Sequence, residues 1–110
     1  MEAPLKLPPI IKRPKADSGL RCPAHLNWVR KHACCACGAA SGIEAAHVRT
    51  GTFGGMGMKP SDKWALSLCG ECHSLQHHIG EQSFEALKGI DMKALAEAFY
   101  RASPHRHKLA

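Results

Sequence analysis

Two cysteine pairs carry the plainest chemistry in this sequence: Cys34-x-x-Cys37 and Cys69-x-x-Cys72, with 31 residues between them. Each pair offers two sulfurs from one tight turn, and two such turns supply the tetrahedral thiolate set that Zn²⁺ favours. A redox dithiol and inert buried thiols are the competing readings. Six cysteines in 110 residues also admit a disulfide framework. However, the opening MEAPLKLPPIIKRPK lacks the apolar stretch of a signal peptide, so a reducing setting and a structural zinc are expected. Cys22 is expected as a core thiol, and Cys35 lacks the two-residue spacer to Cys37.

Directly behind the second pair stand His73 and His77. Four residues apart on a helix, they share one face and can hold a second metal ion. His47, upstream on an expected strand, is the third histidine of interest, whereas His25, His32, His105 and His107 receive no role.

Positioning these groups needs few elements. Pro23 opens a helix to about Lys31, with Leu26 and Val29 inward. Ile43 to Val48 and Ala65 to Leu68 are expected as paired strands, separated by a glycine-rich loop with Gly51, Gly54, Gly55 and Gly57. A helix over about 70–79, closed by Gly80, carries the two histidines. Two further helical segments break at Gly89, the second capped by Asp91 and ended by Pro104, with Phe84, Leu87, Leu95 and Phe99 buried. The fold class is thus α+β: a basic, proline-rich arm over 1–21, one zinc-stapled domain over 22–103 and a tail over 104–110. A core this small needs a staple, and nothing approaches a membrane span.

The formal charge of +6 is uneven, with seven Lys or Arg against Glu2 and Asp17 in residues 1–31. Four thiolates and one dication would subtract about two charges and leave a positive field suited to nucleic acid. Arg49, Lys59 and Lys63 around the loop are candidate phosphate contacts. With six aromatic residues and no base-reading helix expected, sequence specificity should be low.

Over about residues 34–79, the order C-x-x-C, EAAH, a Gly-Gly loop and LCGECHSLQH resembles the HNH endonucleases and their ββα-metal fold. The wider string from Ala45 to Glu81 is similar to phage and prophage nuclease-like proteins of the Ref and YbcO-like kind. The resemblance implies hydrolysis of DNA to 5′ phosphate products, with His47 as general base and His73 and His77 on a divalent ion (Mg²⁺, Mn²⁺, Ni²⁺ or Zn²⁺). It also implies a bacterial or phage-infected cytoplasm and a recombinase or similar protein as a further partner. Ala46 stands where the family carries another metal ligand. That leaves Asp62 or another group to join the histidines, or else His47 itself as ligand. The family's middle Asn falls at about Trp64, so Asp62 or nearby backbone inherits its loop-fixing task. The runner-up function is a DNA-binding or recombination accessory protein that does not cut, and a zinc-stabilised protein-interaction module is the third.

Overall fold

The computed structural model describes residues 21–50 and 60–109. The arm expected over 1–21 lies outside them except for Arg21, as do Lys59 and the glycines of the loop. The described residues form an α+β fold: a two-stranded sheet with four α-helices, and a cluster of four cysteines.

Helix α1, Pro23–Val29, starts at the proline, whose missing N–H is no loss in a first turn. Strands β1, Ile43–His47, and β2, Ala65–Cys69, pair antiparallel, with Ile43 opposite Cys69 and His47 opposite Ala65. All five residues of β2 are buried, because α1, α2 and α4 pack around the strand. Helix α2, Gly70–Ile79, follows β2 without a connecting residue, and Cys69 serves as its N-cap. Gly80, at φ 92°, ends α2, and Gly89, at φ 67°, ends α3, Glu81–Lys88. Both glycines take backbone angles that a side chain would strain. Asp91 caps α4, Met92–Ala102, by accepting the Ala94 N–H at 3.1 Å.

The core gathers Ala46, Val48, Leu66, Leu68, Phe84, Met92 and Ala96. Phe84 is fully buried as expected, but Leu87 is 63 % exposed. The helix ends at the left-handed Gly89, and Ile90 just beyond it packs against the core. Leu95 and Phe99 are half-buried on that core, while Met92 and Ala96 form the inner face of α4. Val29 is buried, whereas Leu26 is only half-buried. His25, given no role above, is buried with its Nδ1 2.8 Å from Ser103 Oγ, tying α1 to the end of α4. Burial lowers its pKa, against the pull of the Asp62 charge. Past Pro104, in the stretch expected as a tail, Arg106–Lys108 forms a 3₁₀ turn and Leu109 is buried. No helix among the described residues is long and apolar enough to cross a membrane.

Phe84→Ala should therefore cost about 3–5 kcal/mol in denaturant unfolding of the metal-loaded protein. Leu87→Ala should cost less than about 0.5 kcal/mol.

Candidate functional site

The sulfurs of Cys34, Cys37, Cys69 and Cys72 all lie within 4.8 Å of one another, with Cys37 and Cys69 at 3.7 Å. Four sulfurs at 2.3 Å from one zinc would be about 3.8 Å apart, so the set fits that ion. Local backbone geometry builds each half. The N–H groups of Ala36 and Cys37 point at Cys34 Sγ, both at 3.4 Å, and the N–H of Cys72 points at Cys69 Sγ at 3.5 Å. Burial pushes the Cys34 thiol up, but amides from Cys69, Cys37 and Ala36 outweigh it and bring the pKa down to about 6. Cys72 moves the other way, raised by burial and by its three neighbouring sulfurs. Without a cation, one negative charge in the cluster opposes the next, and a bound dication reverses that opposition. Cys35 and Cys22 stand apart from the set. Cys35 Sγ lies 3.5 Å from Ser67 Oγ, and Cys22 is buried at the start of α1.

His73 and His77 leave the same turn on one face of α2, and their Nε2 atoms are 3.2 Å apart. Two neighbouring ligands, each 2.0–2.1 Å from an ion, would be separated by about 2.9–3.4 Å, so this pair suits one divalent cation. His73 Nδ1 lies 2.7 Å from Glu44 Oε1. A carboxylate can only accept, so Nδ1 carries a proton, and in the neutral ring Nε2 keeps a lone pair that a metal could take, the usual support for a ligating histidine. Glu44 gains this position by lying over Gly70, where a Cβ would meet its Oε2 at 3.3 Å.

His47, at the end of β1, joins the pair in lining a cavity of about 340 Å³. Arg49 lines it as well, and so does Arg30 at the end of α1. Lys63 is not among the residues that line it. Lys63 holds its ammonium 4.7 Å from the Tyr100 ring and 5.4 Å from that of Trp64, and Lys59 is outside the described residues. Along β1, Ala45 and His47 face the cavity, and Ala46 between them turns into the core with no exposed surface.

Asp62 does not complete the His73–His77 pair. It is 1 % exposed, and both its oxygens are taken. Oδ2 accepts the Cys22 N–H at 2.7 Å, while Oδ1 accepts from Arg21 at 3.1 Å and lies 2.8 Å from His47 Nε2. Burial pushes the carboxyl up, but His47, the Cys22 amide and Arg21 together hold it below its ordinary value of 3.8. At the start of the segment that leaves β1, Glu81 accepts the N–H groups of Arg49 and Thr50 at 2.7 and 2.9 Å. Glu44, Arg30 and Glu81 were not identified as site residues from sequence. Glu44 and Glu81 meet their partners 29 to 32 residues away, and Arg30 meets the cavity only through the packing of α1 beside β1, so no local spacing signals these contacts.

A family model described as a protein of unknown function, DUF968, matches residues 5–104. The chain belongs to the DUF968 family. No curated protein and no solved structure matches it. In this DUF968 chain the match spans both cysteine pairs and all three cavity histidines.

Purified protein should contain one zinc per chain by atomic emission. Cys22→Ser and Cys35→Ser should retain it, and Cys69→Ser should lose it together with the near-ultraviolet dichroism of the fold.

Proposed function

We propose that this protein is a metal-dependent HNH-type endonuclease that hydrolyses DNA phosphodiester bonds with low sequence specificity. The observation that carries the reading is the convergence of His47, His73 and His77 on one cavity of the β1–β2–α2 unit. That order of elements is the one the resemblance to a ββα-metal core calls for, with the four-cysteine cluster as its structural zinc site.

A divalent ion held by His73 and His77 would supply positive charge against the scissile phosphate. The protein's own groups do the rest. His47 takes a proton from water as the water oxygen attacks phosphorus and the bond to the 3′ oxygen breaks. The 3′ oxygen is protonated from solvent, leaving a 5′ phosphate and a 3′ hydroxyl. Arg30 and Arg49 hold neighbouring phosphates in the cavity mouth, and the basic residues of the first 31 positions strengthen attraction to DNA. A role in phage or prophage recombination, with a recombinase as partner, follows from the resemblance alone.

One observation favours a second reading. Ala46 carries only a methyl group, buried in the core, so β1 offers no third ligand at that position. A chain with an incomplete ion site would serve as a DNA-binding accessory protein that does not cut.

Supercoiled plasmid and single-stranded circles incubated with the protein and Mg²⁺, Mn²⁺ or Ni²⁺ separate the two readings. The nuclease reading expects cutting that EDTA stops and that His47→Ala lowers by about 10²- to 10⁴-fold with zinc content unchanged. Salt-sensitive DNA binding without cutting under any of these ions would establish the accessory reading instead.

A further inference from the structure

The strongest unassigned feature is the buried carboxylate behind His47. Asp62 lies at the start of a 3₁₀ turn, Asp62–Trp64, that feeds β2, and it faces His47 at the far end of the paired strand. Three donors converge on it: the Cys22 N–H, the Arg21 guanidinium and the His47 ring. Arg21 also donates to the Pro60 carbonyl at 2.7 Å, so the first residue described before α1 is tied to the turn that carries Asp62. The His47 side chain is 17 % exposed and that of Asp62 2 %.

An imidazole has two nitrogens, and in its neutral form only one carries hydrogen. The three donors favour the ionised form of Asp62, and a carboxylate only accepts. Nε2 of His47 must therefore hold a proton, and in the neutral ring Nδ1 keeps the lone pair. We propose that Asp62 is a positioning residue that fixes His47 as the Nε2–H tautomer, so that Nδ1 is the proton acceptor offered to the cavity. This deepens the nuclease reading and rests on it for the use to which the lone pair is put. The tautomer itself depends only on the Asp62–His47 geometry. The arrangement follows a general rule for imidazole bases, in which the partner of one ring nitrogen decides the chemistry of the other.

Asparagine at this position makes a specific alternative. An amide has one accepting oxygen and one donating nitrogen. The Cys22 N–H is fixed in buried backbone and needs the oxygen. The amide nitrogen then faces His47 and Arg21. Arg21 is 42 % exposed and can swing into solvent, whereas His47 can answer only by moving its proton to Nδ1. Asp62→Asn thus inverts the tautomer with almost no change in volume.

The test is ¹⁵N–¹H spectroscopy of the histidine rings in the zinc-loaded full chain, paired with plasmid cleavage. Wild-type His47 should show Nε2 protonated. Asp62→Asn should shift the proton to Nδ1 and lower kcat by about 10²- to 10⁴-fold with KM little changed. Arg21→Ala, which leaves the carboxylate in place, should keep the wild-type tautomer, as a purely structural account of Asp62 would not require. A wild-type spectrum with Nδ1 protonated overturns the proposal and needs no variant to fold. Unchanged kcat in a folded Asp62→Asn overturns it as well. A wild-type chain that cuts no DNA but shows Nε2–H overturns the nuclease reading and supports the assignment of the tautomer to Asp62.

Discussion

Four sulfurs drawn within 4.8 Å of one another join a turn near residue 35 to the junction of β2 and α2. The sheet has only two strands, and no strand pair of that size holds its shape without support. The cysteine cluster fits zinc and gives that support at the point where it matters most. Cys69 ends β2 and caps α2, and Cys72 sits in the first turn of the helix, so the same bond set fixes both the direction and the rotation of α2. The presentation of His73 and His77 follows from it.

Around this staple the polar contacts divide into two groups. On the α2 side, Glu44 reaches across Gly70 to set the His73 ring. On the other side, Asp62 gathers Arg21, the start of α1 and His47. Both carboxylates contact a histidine of the cavity, Glu44 from within β1 and Asp62 from the 3₁₀ turn that precedes β2. One is exposed and the other fully buried, a difference with consequences. A buried ionised carboxylate persists only with its donors in place, so losing one of them costs far more than losing a surface ion pair.

Much of this arrangement was legible in the sequence because it is local. The C-x-x-C spacing marks each half of the sulfur cluster, and the i, i+4 spacing of His73 and His77 predicts a shared face. Gly80, Gly89 and Asp91 mark helix ends through their own backbone and capping chemistry. What could not be read was set by contacts between distant segments. Asp62 could be suspected as a ligand, but its actual partners Cys22 and His47 lie 40 and 15 residues away. Leu87 follows helical spacing from Phe84, yet it is exposed while Ile90, beyond the helix end, packs against the core. Lys63 lies beside the loop in sequence but turns to aromatic rings on and beside α4. Arg30, which carried no motif, reaches the cavity because α1 packs beside β1.

In the proposed function, the sulfur cluster positions a second, histidine-based ion site on the same helix. Cobalt substitution followed by absorption spectroscopy tests it most directly, because thiolate and imidazole sites differ in colour and intensity. Two Co²⁺ per chain are expected, one with strong sulfur charge-transfer bands and one at a weaker nitrogen site that disappears in His73→Ala and in His77→Ala while the sulfur bands remain. A single cobalt per chain, bound only to sulfur in wild type and variants alike, would contradict it.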